Sequence, residues 1–325
     1  KSIGNTVAPE QIIRQNGADI LRLWVASSDF TDDLRIGDEI IKTAADAYRK
    51  LRNTLRYMIG ALDGYDTNDA VAYDDMPALE KWVLHRLTEL DGLVRSAYKT
   101  HDFKRAYTAL FNFCTNDLSA FYFDVRKDAL YCDPLNSTRR RACRTVMDAI
   151  FNRLTVWLAP VLSFTMEEVW QTRFGDVDGS VHLQVFPDSP DAWHNDNLVK
   201  HMDALVAFRT EVSETIEPLR KDGVIKSSLE ARVIAPATPG LTSALTALSI
   251  TRKDVYPDPA NPVDTLADYL IVSECDLSAN SDALSIADLK AEGFTKCDRS
   301  WKYFKAVGDA KITPRDEVAV EKWDG

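Results

Sequence analysis

The chain has 325 residues, 45% of them hydrophobic, which suits two or three domains with real cores and speaks against wholesale disorder. Its formal net charge of −11 counts against a generic nucleic-acid coat, but phosphate contacts depend on local basic patches, so RNA binding stays open. Apolar runs such as Val156–Ala159 are too short for a transmembrane helix, and five widely spaced cysteines, an odd number, point to reduced thiols in a cytosol rather than a disulfide framework.

The opening Lys1-Ser2-Ile3-Gly4-Asn5 lacks the apolar stretch of a signal peptide. Pro9 suits a first helical position and Gly17 the end of a short helix. Ala18 to Ala26 continues as a second helical piece, and Asp29 to Gly37 is loop-like. From Asp38, Ile41, Ala45, Tyr48, Leu51, Leu55, Met58 and Leu62 recur at helical steps, a stripe that faces a core. Gly64 to Asp75 ends that helix. Asp75 and Pro77 start the next, with Leu79, Val83, Leu87, Leu90, Val94 and Ala97 as its stripe. Asp102 caps a third, and Ser137 or Thr138 begins a fourth, which Pro160 stops. Thr165 with Glu168 reads as a capping box for a short fifth helix. Long amphipathic helices joined by short polar loops describe a helix bundle.

Beyond about Gly175 the pattern changes. Val181 to Phe186 reads as a strand and Pro187 to Asn197 as a linker, and Leu198, Met202, Leu205, Phe208, Val212, Ile216 and Leu219 mark one more long helix. Strand-like pieces at Leu229 to Ile234 and Tyr269 to Val272 flank a helix from Gly240 to Leu248. The predicted fold is mainly α: a helical bundle followed by a small α/β domain. Its expected divisions are junction helices over 1–37, the bundle over 38–190 and the α/β domain over 191–325.

Lys1-Ser2-Ile3-Gly4-Asn5 followed by Gly17-Ala18-Asp19-Ile20-Leu21-Arg22-Leu23-Trp24 resembles the class I aminoacyl-tRNA synthetases, where a KMSKS loop precedes a G-A-D-x-L-R helix. Within that family, Trp24 to Phe30, Leu34 to Ile40, Tyr48 to Arg56, Asn112 to Tyr122, Lys127 to Cys132 and Ser227 to Ala231 look like the isoleucine-specific branch. The valine branch stays open as an alternative, as does a non-catalytic RNA-binding module derived from a synthetase. The resemblance implies a parent ligase that uses ATP with Mg, an isoleucine tRNA as partner, catalytic and editing domains upstream in the same parent chain, no membrane, a monomer and a cytoplasmic location. It assigns Lys1 and Ser2 to the ATP phosphates, where a cation stabilises developing negative charge.

RNA contacts are sought among the cations. Arg126, Lys127, Arg139, Arg140, Arg141, Arg144 and Arg153 form the densest basic region. Arg139, Arg140 and Arg141 are candidates for a phosphate track, with a solvated basic face as the other reading. Arg35 is placed by the resemblance near the acceptor-stem side, with an ion-pair or helix-cap role as the alternative. Phe113, Phe121, Tyr122 and Trp170 sit at helical spacing and read as bundle core. Many bacterial isoleucine enzymes end in a zinc knuckle with paired C-x-x-C motifs; here Cys297-Asp298-Arg299-Ser300-Trp301 has Ser300 at the second cysteine and no cysteine follows. Four soft ligands are not at hand, so no zinc is expected in this chain. Arg299 and Trp301 match the part of that knuckle that lies against the anticodon loop. An indole offers a stacking face and a guanidinium a bidentate donor. Alternation of Trp301 and Tyr303 along a strand that packs on the small domain is the competing reading.

Overall fold

The computed structural model describes residues 7–31, 33–175, 179–251, 258–278 and 281–321. Lys1 and Ser2, expected to meet the ATP phosphates, lie outside the described residues. The chain condenses into two units: one from residues 1–65, 85–121 and 146–191, the other from 66–84, 122–145 and 192–325.

In the first unit, α1 (Pro9–Asn16) and α2 (Ala18–Ser27) meet at Gly17, whose φ of 87° is open to glycine and strained for a side chain. Ile12 and Ile20 pack with Ile41, Ala44 and Ala45 of α3 (Asp38–Ala61). The stripe read from the sequence along α3 is the buried one, with Leu51, Leu55 and Met58 at most 1% exposed. The unit also takes residues from α4 (Ala78–Lys99), from a helical run made of α5 (Phe103–Asn112), a π-helical stretch (Phe113–Tyr122) and α6 (Phe123–Cys132), and from α7 (Thr138–Leu158). Phe113, Phe121, Tyr122 and Trp170 are buried, as core residues should be.

The Gly17–Trp24 motif turns out to tie helices together. Asp19, buried, accepts from Thr165 N at 2.7 Å and from Thr165 Oγ1 at 2.6 Å, at the start of α8 (Ser163–Phe174). Arg22 donates to the carbonyls of Pro160 and Val161 at 2.6 and 2.9 Å, just past the end of α7. The capping box expected of Thr165 and Glu168 is therefore corrected. Thr165 lies inside α8, the cap is the distant Asp19, and Glu168 pairs with Arg52 at 2.8 Å. Because the Thr165 hydroxyl gives its proton to Asp19, Tyr48 must donate to it across their 3.0 Å contact.

Val181–Phe186 is also corrected: Val181–Leu183 is a single 3₁₀ turn, and Glu167 accepts from Val181 N and Ser180 Oγ, so the backbone donor that a ladder would need is already used.

The second unit is built on a three-stranded sheet. β1 (Ala231–Pro236) pairs parallel with β2 (Glu274–Ser278) and antiparallel with β3 (Ser285–Asp288). Its alternation is plain: Ala231, Val233 and Ala235 are fully buried, while Arg232 turns to Glu274 and Glu292 on the other face. α9 (Asp196–Lys221) packs its Leu198, Met202, Leu205, Val212 and Ile216 stripe inward, and α10 (Pro239–Ala247) packs against it. Tyr269 and Leu270 fall in a five-residue helix, α11 (Leu266–Leu270), rather than a strand. The Thr265–Asp268 capping box starts it and Ile271, left-handed at φ 54°, stops it. A two-stranded hairpin, β4 (Thr295–Lys296) with β5 (Tyr303–Phe304), and α12 (Pro314–Glu321) complete the unit. All five cysteines are buried free thiols, and no helix among the described residues is long and apolar enough to cross a membrane.

Candidate nucleic-acid interface

The basic region predicted on α6 and α7 divides once burial is known. Arg126 is fully buried, held by Glu80 at 2.5 Å and Asp264 at 2.6 Å. Arg139 is 2% exposed, with Asp133 and Asp268 each at 2.8 Å. Arg144 and Arg153 are also buried. The phosphate-track expectation is corrected for Arg139: its guanidinium is saturated by the protein's own carboxylates, and a phosphate would have to displace them. Arg140 and Arg141 are half-buried, with Arg140 donating to Leu130 O and Arg141 to Asp69 O at 3.0 Å each. Burial, helped by the neighbouring Arg144, lowers the Arg140 pKa from the ordinary arginine value. Arg35 is exposed.

The carboxylates that meet these arginines form one network. Burial by itself raises a carboxyl pKa, and at Glu80 and Asp133 it prevails over Arg126 and Arg139 respectively. At Asp264 burial is outweighed by Arg126 and then Arg139. At Asp268 it is outweighed by Lys302 and Arg139, so both carboxyls sit below the ordinary value. Asp128, half-buried, is brought down to about 2 by Arg315 and Lys302 against the upward push of burial. The sequence showed the arginines but not these partners. The Thr265-x-x-Asp268 signature was the one local signal that could have marked Asp268 as structural.

Arg299 and Trp301 stand at the tip of the β4–β5 hairpin, and they behave differently. Arg299 is half-buried, donating to Cys132 O at 2.5 Å, to Tyr131 O at 3.1 Å and to Asp316 at 3.1 Å. Trp301 is 62% exposed, with the Lys296 ammonium 5.2 Å from its ring centre. The reading in which Trp301 packs into the small domain is thereby overturned. A cleft of about 550 Å³ is lined by Lys127, Asp128 and Tyr131 of α6, by Ser227 and Ser228, and by Arg299 to Lys302. Tyr131, 64% exposed, gives this cleft a second aromatic ring that sequence reading missed. An indole, a phenol and nearby ammonium groups can stack an unpaired base and neutralise its phosphate.

Comparison with known proteins gives this geometry its class. Residues 80–235 match the anticodon-binding domain of tRNA ligases, and residues 1–37 match the class I tRNA synthetases for I, L, M and V. Residues 80–235 are thus similar to the anticodon-binding domain of tRNA ligases. The chain is 46% identical over 311 residues to the isoleucine–tRNA ligase of Gluconobacter oxydans, covering 95% of this chain and 31% of that protein. It is 44% identical to the isoleucine–tRNA ligase of Ruegeria pomeroyi, with the same coverage, and 43% identical to that of Caulobacter vibrioides, over 100% of this chain and 33% of the relative. Along nearly its whole length the chain is homologous to isoleucine–tRNA ligases, and it spans about a third of the length of these relatives. Nothing in the comparisons supports the valine or non-catalytic alternatives.

Proposed function

We propose that this chain is the tRNA-docking, anticodon-reading part of an enzyme that joins isoleucine to its tRNA at the expense of ATP and Mg. The observation that carries this reading is the exposed Trp301 indole beside the open cleft at the hairpin tip, in a chain otherwise rich in buried aromatics. Anticodon bases are unstacked and single-stranded, so an aromatic face is the natural receiver. Arg299, anchored by three acceptors, orients the tip, while Arg140, Arg141 and Arg35 are the candidates for phosphate contacts. Lys1 and Ser2 are the candidates for placing an ammonium against the ATP phosphates.

The remainder of a parent ligase is the second partner we propose. Val25, Phe30 and Leu34 are 47%, 59% and 46% exposed, and a hollow lined by Leu21, Val25, Phe30, Tyr98 and Phe103 offers an apolar seat for it. Such an enzyme fits a cytoplasmic monomer.

The test is binding of an unmodified isoleucine tRNA transcript against a valine tRNA transcript, titrated at several salt concentrations. The isoleucine transcript should bind at least about tenfold tighter, with a steep salt dependence. Equal binding of the two would sink the anticodon reading. The 325-residue chain should show no isoleucine-dependent ATP–pyrophosphate exchange, because positioning ATP takes more than one loop lysine. Measurable exchange by material free of host enzyme would show that the chain holds a site not described above.

A further inference from the structure

The hairpin tip is closed by its own backbone: Cys297 N donates to Lys302 O at 2.8 Å and Trp301 N to Cys297 O at 3.1 Å. The resemblance implies a zinc knuckle here, but the donor set does not fit one. Ser300 offers a neutral hydroxyl where a second thiolate is needed. Among the described residues, no group of three His, Cys, Asp or Glu side chains within reach of a common ion includes Cys297.

The polar side chains turn instead to one carboxylate. Asp316 has no exposed surface. Its Oδ2 accepts from the Cys297 thiol at 3.1 Å, the Ser300 hydroxyl at 2.8 Å and the Thr313 hydroxyl at 2.7 Å. Its Oδ1 takes Arg299 at 3.1 Å and Arg315 at 3.2 Å. Asp316 N also donates to Thr313 Oγ1 at 3.3 Å, which ties the carboxylate to the start of α12. Cys297 and Ser300 bracket the turn, so one point fixes both of its sides. Trp301 follows at once, with φ 63°, a left-handed conformation that a bulky side chain holds only where its surroundings impose it.

We propose that Asp316 is a positioning residue: a buried carboxylate clasp holds this knuckle without a metal, and so sets the Trp301 indole outward as a platform for an anticodon base. The platform's use rests on the function proposed above; the clasp itself does not.

The experiment uses the whole chain labelled with 5-fluorotryptophan. Of its seven tryptophans, Trp301 is assigned as the ¹⁹F resonance lost in Trp301→Phe. Cys297→Ser keeps a hydroxyl donor to Asp316 but removes the thiolate a zinc would need. It should leave the Trp301 resonance in place and isoleucine tRNA affinity within about twofold of the parent. Cys297→Ala and Asp316→Ala remove a donor and the acceptor. Each should shift or broaden the Trp301 resonance, leave the other six in place, and weaken tRNA binding by about tenfold. Zinc in the purified chain should stay below about a tenth of an equivalent.

Near one equivalent of zinc overturns the proposal, as does Cys297→Ser behaving like Cys297→Ala, or Asp316→Ala leaving the Trp301 signal untouched. Should Asp316→Ala unfold the chain, the Ser and Ala variants of Cys297 decide, since both leave the α12 start intact. If the Trp301 signal follows the clasp while tRNA affinity does not, the clasp stands and the anticodon reading fails.

Discussion

Trp301 and Arg139 were weighed alike as RNA contacts in the sequence, and burial separates them. The indole is 62% exposed on a left-handed residue, so little of the fold depends on it. Trp301→Ala should weaken isoleucine tRNA binding by on the order of ten- to a hundredfold, since stacking one base is worth roughly 1–3 kcal/mol. The thermal melt should hardly move, and a collapsed melt would return Trp301 to a structural role. Arg139→Ala should do the opposite. It takes one of two cations from each of the buried Asp133 and Asp268, leaving them Arg315 and Lys302 respectively, at a cost of up to about 3 kcal/mol by urea unfolding. Loss of tRNA affinity at unchanged stability would mean that Arg139 reaches phosphate after all. Arg140→Ala and Arg141→Ala together test the track itself. Each lost phosphate contact should flatten the slope of log affinity against log salt by about one unit. An unchanged slope would assign both to their carbonyl partners, Leu130 and Asp69.

At the scale of elements, α8 shows what a sequence can and cannot disclose. Its core position Trp170 was legible, but the group that starts it, Asp19, lies 146 residues away from Thr165. Asp19→Ala should remove a charged cap and leave the buried Thr165 hydroxyl and amide without their acceptor, costing about 2–3 kcal/mol. Hydrogen exchange should speed up in the first turn of α8 before anywhere else. Uniform exchange across the unit would refute that local account. The long stripes of α3, α4 and α9 were readable because helical periodicity is a local property of the chain. α11 was misread because Tyr269-Leu270-Ile271-Val272 has the residue types of a strand, and a five-residue helix has no period to show against them. The candidate site was legible in its exposed part, Trp301 at the knuckle. Its buried part was hidden because Asp264 sits 138 residues from Arg126 and Asp268 sits 129 from Arg139, distances at which no local pattern reports pairing.

For the whole molecule, the net charge of −11 conceals a second unit whose interior is held by ion pairs as well as by apolar packing. Acid should therefore unfold this unit by a definite route. Asp128, Asp264, Asp268 and Asp316 have carboxyls held below their ordinary value by adjacent cations and hydrogen bonds, against the upward push of burial. A depressed carboxyl contributes stability that is complete above its unfolded pKa of about 4 and is lost as pH falls through the folded value. Glu80 and Asp133 run the other way, because burial raises them, and they favour the fold slightly as pH drops toward about 4. The sum is a fall in stability below about pH 4, where the unfolded chain binds protons that the four depressed carboxyls of the fold still resist. Asp128 alone, brought to about 2, contributes on the order of 2 kcal/mol to that fall. Hydrogen exchange along β1 and β2, followed from pH 7 to 2 with the intrinsic rates divided out, would report it without interference from the first unit. Asp128→Asn should make the acid limb shallower and lower the plateau at neutral pH. Protection that stays level from pH 4 to 2 would mean that apolar packing alone holds the sheet, and that the buried charges add specificity without stability.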